Sequence, residues 1–117
     1  MLLNEYQQLT GDTAIYPGKG TPLGLIYCGL KLAGEAGEVA EKIGKAIRDD
    51  GLFGDDMHEI TPERREALKG ELGDVLWYVA RAARELGYDL SDIAQGNIDK
   101  LSDRKARGVL GGSGDNR

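Results

Sequence analysis

The chain has 117 residues, of which 40% are hydrophobic and 30% are charged, a balance typical of one folded domain rather than of a disordered segment. Its formal net charge of −5, without a dominant basic stripe, argues against a nucleic-acid partner. The single cysteine, Cys28, excludes an intrachain disulfide, and no signal-peptide or membrane-spanning pattern occurs, so we expect a cytoplasmic protein with no membrane partner.

Helical periodicity dominates the chain, and no stretch shows the sustained alternation of a strand. A short helix is predicted around Leu3 to Leu9. A long helix then begins at Thr21 and Pro22, a threonine N-cap followed by a first-turn proline, and runs to about Asp49. Its apolar stripe consists of Leu23, Ile26, Leu30, Ala33, Gly37, Ala40 and Ile47.

A second long helix is predicted after a connecting loop at residues 50–60. Thr61 caps it, Pro62 follows, and Glu63 places a carboxylate in the first turn, where the helix dipole favours it. Its apolar stripe, which Gly87 ends, consists of Leu68, Leu72, Val75, Val79, Ala82 and Leu86.

The last predicted helix has Ser91 as its N-cap and carries Ile93, Ile98 and Leu101. Residues 109–117 are rich in glycine and are predicted to form a flexible tail, which places the folded domain at residues 1–108. The predicted fold class is therefore all-α, a helical bundle of two long antiparallel helices plus shorter helices. Because so few helices make a thin core, we expect oligomerisation to complete it.

Two acidic pairs lie at the edges of the apolar stripes of the long helices. The first pair is Glu35 and Glu38, and the second is Glu71 and Asp74. Antiparallel helices can bring the four carboxylates to one rim of the bundle, where their mutual repulsion requires a cation. An all-oxygen set suits Mg²⁺, Mn²⁺ or Ca²⁺, and neither pair contains the histidine that a di-iron site needs. The alternative is an ordinary solvated acidic face.

Other polar and aromatic residues are assigned less specific roles. His58 falls in the connecting loop and receives no catalytic task. Trp77 is interpreted as a core or interface residue rather than a stacking platform for a base. Lys31, Lys42 and Lys45 are interpreted as ordinary surface charge rather than as phosphate contacts.

Three blocks of sequence, "GLKLAGEAGEVAEKIGK", "GELGDVLWYVA" and "NIDKLSDRKARG", resemble the MazG-like nucleoside triphosphate pyrophosphohydrolases of the all-α NTP pyrophosphatase superfamily. The blocks occur in the family's order, and the resemblance covers roughly residues 22–108. It implies that the metal-binding and catalytic residues are Glu35, Glu38, Glu71 and Asp74. It also implies that the substrate phosphates are bound by Asn97, Lys100 and Arg104.

The resemblance further implies Mg²⁺-dependent hydrolysis of a nucleoside triphosphate between its α- and β-phosphates, with Mn²⁺ as a substitute metal. The expected assembly is a homodimer or a tetramer built from dimers. Two features depart from the family pattern: Gly34 stands where many relatives have a glutamate, and the connection between the acidic pairs is long. That connection is a lid, an interface or a passive insertion. The alternative functions are a non-catalytic, metal-dependent nucleotide-binding module and a structural helical interaction protein.

Overall fold

The computed structural model describes residues 1–55 and 59–117. The helices of these residues are α1 (Leu3–Thr10), α2 (Pro22–Asp50), α3 (Pro62–Glu85) and α4 (Leu90–Ala106), with a single 3-10 turn at Gly11–Thr13 after α1. No strand occurs among the described residues, so the all-α prediction is confirmed. None of these helices is both long and apolar enough to cross a membrane.

Helices α2 and α3 form a long antiparallel hairpin, as predicted. At one end, the Arg64 guanidinium at the start of α3 donates hydrogen bonds to the Asp50 carboxylate at the end of α2. At the other end, the Gly20 N–H, just before α2, donates to the Glu85 carboxylate at the end of α3, at 3.1 Å. Because the contacts join opposite ends of the two helices, both acidic pairs lie near the middle of the hairpin.

The connection between the acidic pairs is made mostly of helix, because α2 continues to Asp50 and α3 begins at Pro62. Leu52 is buried at the start of this loop, and its N–H donates to the carbonyl of Ala46 at 3.2 Å. His58, which the sequence places in the loop, lies outside the described residues. The described part of the loop is thus anchored to the end of α2.

The two threonines predicted as caps differ in what their side chains do. Thr61 caps α3 as predicted, because its hydroxyl accepts the N–H of Arg64 at 3.2 Å. Thr21 precedes Pro22 at the start of α2, but its hydroxyl donates to the Gly18 carbonyl at 2.6 Å and makes no capping bond. The prediction of both helix starts is confirmed. The Thr61 side chain caps its helix, whereas the Thr21 side chain forms its hydrogen bond within the preceding turn.

Helix α4 begins at Leu90 with Asp89 as its N-cap, so the prediction of Ser91 as the cap is wrong. The reason is tertiary. The Leu90 N–H donates to Gln7 Oε1 at 2.9 Å, and the Ser91 N–H donates to Asn4 Oδ1 at 3.0 Å. These bonds from α1 satisfy two of the N–H groups that a helix start leaves unpaired. Helix α1 therefore fixes where α4 begins.

The buried core lies where the segment after α1 covers the α2–α3 hairpin. Its centre is formed by Ala14, Tyr16 and Cys28, and Trp77 packs against it. The rings of Tyr16 and Trp77 meet edge to face, with centroids 6.1 Å apart. Burial raises the pKa of the Cys28 thiol, so this side chain stays protonated and serves as the small apolar residue that its position in the helix suggests.

Much of the apolar stripe of α2 is exposed in the single chain. Ile26 is 59% exposed and Leu30 is 70% exposed, while Leu72 on α3 is 57% exposed. The radius of gyration of 17.5 Å exceeds the value of about 13 Å typical of a compact domain of 100 residues. The chain therefore presents apolar faces that it does not itself cover.

Residues 109–117 turn back towards the end of α4. Arg104 Nη2 donates to the Asp115 carbonyl at 2.9 Å. Arg107 Nη2 donates to the carbonyl of Arg117 at 2.6 Å. That this segment is flexible, and that the folded domain spans residues 1–108, stay predictions. The structure adds these contacts between the segment and α4.

Candidate metal centre

The α2–α3 hairpin brings together three of the four predicted acids, Glu35, Glu71 and Asp74. One carboxylate oxygen from each of them lies within 4.8 Å of the others. Glu35 and Glu71 are half-buried, while Asp74 is exposed. The cluster forms because the antiparallel register sets the middle of α2 opposite the middle of α3. The acidic rim predicted from the spacing is thus present as a cluster of carboxylates from both helices.

Glu38, the fourth predicted acid, stands apart from this cluster. It is exposed and belongs to no group of possible metal ligands among the described residues. It lies one turn beyond Glu35 on α2, so its side chain projects from a neighbouring part of the same helix surface. Its role as a ligand stays a prediction.

Two lysines lie against the acidic cluster. Lys42 Nζ is 3.3 Å from Glu71 Oε1 and joins α2 to α3, while Lys31 Nζ is 3.8 Å from Glu35 Oε1 on the same helix. The interpretation of Lys42 as surface charge rather than as a phosphate contact stays a prediction, to which the structure adds this ion pair. No pattern in the sequence indicates the contact between Lys42 and Glu71, since it depends on the register between two helices. Among the described residues, no lysine or arginine pairs with Asp74.

The donor set suits a hard divalent cation. Mg²⁺ binds oxygens at about 2.1 Å, so two ligands on opposite sides of the ion lie about 4.2 Å apart. The oxygens of Glu35, Glu71 and Asp74 already fall within 4.8 Å of one another, close to that limit. Carboxylate ligands without imidazole or thiolate favour Mg²⁺ or Mn²⁺ over zinc or copper. The residues present therefore fit Mg²⁺ or Mn²⁺.

A cavity of about 380 Å³ opens beside the acids. Its lining consists of Thr13, Glu35, Asp74, Trp77 and Tyr78. Trp77 Nε1 donates to Thr13 Oγ1 at 3.0 Å, and the rings of Trp77 and Tyr78 meet edge to face with centroids 4.9 Å apart. Burial raises the pKa of Tyr78, so its hydroxyl stays protonated at neutral pH. The cavity thus joins a carboxylate wall to an aromatic wall.

Two of these lining residues extend what the sequence predicted. Trp77 packs against the core, as predicted, and in addition forms part of the cavity wall. Thr13 was not identified from the sequence, because it lies in a 3-10 turn outside any helical pattern. Its place in the wall follows from how the segment after α1 crosses α3.

The residues predicted on α4 to bind substrate do not line this cavity. Asn97 and Lys100 are exposed on the surface of α4. Arg104 is buried, with 7% exposed, and donates to the tail carbonyl described above. Helix α4 packs on α1 and α3, an arrangement that spacing along the sequence does not determine. A role for these residues in phosphate binding stays a prediction.

Comparison with known proteins identifies a family for this chain. Residues 27–109 match the family model of the MazG nucleotide pyrophosphohydrolase domain, a span that includes both acidic pairs. The chain belongs to this family. It is also similar to the Gene 37 protein of Mycobacterium phage L5, with 50% identity over 121 residues that cover the full length of both chains. No solved structure gives a significant match.

Membership of the MazG family confirms the resemblance drawn from the three sequence blocks. The family is metal-dependent, and the acidic cluster lies within the matched span. The match begins at residue 27, so α1 and Thr13 lie outside it. The acidic wall of the cavity therefore belongs to the MazG domain, whereas Thr13 comes from the segment that precedes the match.

Proposed function

We propose that this MazG-family chain hydrolyses nucleoside triphosphates, NTP or dNTP, between the α- and β-phosphates to give a nucleoside monophosphate and pyrophosphate. The reaction depends on Mg²⁺, and Mn²⁺ substitutes for it. The observation that carries the proposal is the clustering of Glu35, Glu71 and Asp74 at the middle of the α2–α3 hairpin, within the residues that match the family. A cytoplasmic location, without a nucleic-acid or membrane partner, is part of the proposal.

Each candidate residue has a defined task in this proposal. Glu35, Glu71 and Asp74, together with Glu38, would hold Mg²⁺, which when bound neutralises phosphate charge and lowers the pKa of water. One of the glutamates accepts the proton that the attacking water loses. On α4, the triphosphate is held by Asn97, Lys100 and Arg104.

The direct test is to incubate the purified protein with each NTP and dNTP in the presence of Mg²⁺ and to resolve the products by chromatography. Monophosphate and pyrophosphate are expected. Diphosphate with orthophosphate, or no turnover with any nucleotide, contradicts the proposal. Asp74→Asn is expected to lose turnover, because it removes one charge from the cluster. Glu41→Gln is the matched control, since Glu41 is an exposed acid on α2 outside the cluster.

A second candidate is a protein that does not turn over nucleotide, either a metal-dependent binding module or a structural helical partner. The Lys42–Glu71 pair favours the structural version, because a lysine already compensates one carboxylate of the cluster. A Mg²⁺ titration separates these cases. A metal site raises the melting temperature through linkage, whereas a structural ion-pair cluster leaves it unchanged. Calorimetry in which the nucleotide binds but remains intact identifies the binding module.

We also propose that the chain assembles as a homodimer, or as a tetramer built from two dimers. The exposed apolar faces of α2 and α3, which include Ile26, Leu30 and Leu72, support this assembly. Burying apolar surface is favourable in proportion to its area, and a two-fold pair is the commonest way to bury a single face. A partner's hairpin laid against these faces completes the thin core of the single chain.

A further inference from the structure

Arg81 on α3 carries a buried charge. The residue is only 4% exposed, and among the described residues no carboxylate lies within ion-pair distance of it. Its Nη1 donates to Thr10 Oγ1 at a long 3.4 Å, and its guanidinium lies 5.9 Å from the centroid of the Tyr16 ring. Its Nε is buried, and no group of the described residues forms a hydrogen bond with it. Charged side chains are almost never buried unless paired, yet within the described part of the chain Arg81 interacts with Glu85 only at longer range and has no carboxylate in direct contact.

Arg81 lines a cavity of about 470 Å³ at the C-terminal end of α3. The other charged residues of its lining are Lys19, Arg84 and Glu85. This cavity shares no lining residue with the one beside the acidic cluster. Arg81 lies two helical turns beyond Asp74, about 10 Å further along the axis of α3. It therefore belongs to a second site on the same helix.

Glu85 is already engaged by other donors. Its carboxylate accepts the hydroxyl of Tyr16, and both of its oxygens accept the Gly20 N–H at 3.1 Å. The lining of the cavity then has three positive side chains and one negative side chain, a net charge of two positive units. A dianion of matching charge would compensate this lining, in which the buried guanidinium of Arg81 is one of the three positive groups.

We propose that this cavity binds a dianionic phosphate group, carried either by inorganic phosphate or by a nucleoside monophosphate, without the help of a metal ion. Guanidinium groups offer planar, paired donors that match phosphate oxygens, which Arg81 and Arg84 supply, and Lys19 adds a compact charge. The volume falls within the range of about 300–1,000 Å³ typical of small-molecule sites. The carboxylate cluster, in contrast, repels phosphate unless a metal ion is bound, so the two sites differ in what they accept.

The test uses the full chain kept free of metal with EDTA. Inorganic phosphate or a nucleoside monophosphate is titrated at constant ionic strength, and binding is followed by calorimetry and by the melting temperature. Arg84→Gln is expected to weaken binding about tenfold, as the loss of one charge-assisted hydrogen bond does. Arg65→Gln is the matched control, because Arg65 is an exposed arginine on the same helix that does not line the cavity. It is expected to leave the affinity unchanged.

Arg81→Lys tests the buried side chain itself. Lysine keeps the positive charge but lacks the planar donors of the guanidinium. If the circular dichroism spectrum of the variant is unchanged, weaker phosphate binding supports the proposal. If the monophosphate binds more tightly than inorganic phosphate, the ligand of the cavity is a nucleotide. If the two bind equally, the ligand is free phosphate. Either result supports binding of a phosphate dianion. The proposal is overturned by the absence of saturable binding to the wild type, or by equal affinities of the wild type and Arg84→Gln.

Discussion

Lys42 Nζ lies 3.3 Å from Glu71 Oε1 and joins the two helices that carry the acidic cluster. The pair is partly shielded from water, since the two side chains are 33% and 17% exposed. A positive charge at this position relieves the repulsion among the converging carboxylates. A divalent cation that binds Glu71 competes with this lysine for the charge of one carboxylate, which both pairs with Lys42 across the hairpin and belongs to the acidic cluster.

The first prediction concerns this competition. Lys42→Gln removes the competing cation, and we expect Mg²⁺ to bind up to about fivefold more tightly, the size set by a partly exposed ion pair worth about 1 kcal/mol or less. Isothermal titration calorimetry measures the change. Lys45→Gln is the control, since Lys45 pairs with Glu41 outside the cluster. Unchanged or weaker Mg²⁺ binding by Lys42→Gln contradicts the competition.

The second prediction concerns Glu38, which lies outside the carboxylate cluster. If it completes the metal shell, as the family resemblance implies, Glu38→Gln abolishes turnover while the circular dichroism spectrum and melting temperature stay unchanged. The steady-state rate with the preferred nucleotide is the measurement. Glu41→Gln provides a matched control on the same helix. Near-normal turnover of Glu38→Gln removes this residue from the metal shell and leaves the cluster to Glu35, Glu71 and Asp74.

The third prediction concerns Gln7, which is buried and links three elements. Its Nε2 donates to the carbonyls of Ala80 and Tyr88 at 3.3 and 3.0 Å, and its Oε1 accepts the Leu90 N–H at 2.9 Å. Gln7→Ala leaves these buried groups without partners, so we expect the free energy of unfolding to fall by about 2–4 kcal/mol. Urea denaturation measures it. The exposed neighbour Gln8 is the control, and its alanine variant should stay within about 0.5 kcal/mol of the wild type.

A feature of the fold is predictable from the sequence where the residues that determine it lie close together along the chain. The starts of α2 and α3 were predictable because a threonine before a proline acts within a few residues. The start of α4 was not, because Gln7 and Asn4 of α1 pair with its first N–H groups from far along the chain. Ser91, the N-cap predicted from the local sequence, is therefore not the cap of α4.

The same distinction applies to the candidate site. The spacing of the acids, combined with antiparallel helices, predicted that the two acidic pairs converge, and the structure brings together all of them except Glu38. It did not predict the role of Lys42, because that contact depends on the exact register of the hairpin. Nor did it indicate that Arg81 is buried, since an arginine near alanines and other charges resembles a solvated helix face until α1 covers it.

The fourth prediction concerns Glu85 and pH. Burial opposes its ionisation, but the hydrogen bonds from Tyr16 and Gly20, together with the nearby positive charges of Arg81 and Lys19, lower the pKa of Glu85 below its usual 4.5. A carboxyl whose pKa is lower in the folded state stabilises the protein above the unfolded pKa, and this contribution is lost as the pH falls through the folded value. Glu85→Ala should therefore cost about 1–2 kcal/mol at neutral pH and clearly less at about pH 3. Urea denaturation at both pH values measures this, and equal losses contradict the assignment.

The fifth prediction concerns the apolar face of α2. Leu30 is 70% exposed in the single chain, so Leu30→Asp should leave the fold of the chain intact. In a dimer that covers this face, the new carboxylate loses its hydration without gaining a partner, which disfavours association. Light scattering coupled to size exclusion should give the wild type at least twice the chain mass of 12.6 kDa and Leu30→Asp the single-chain mass. Leu9→Asp on α1, another exposed leucine, should keep the wild-type mass. A monomeric wild type excludes the proposed assembly. An assembly that Leu30→Asp leaves unchanged shows that the chains meet at another surface.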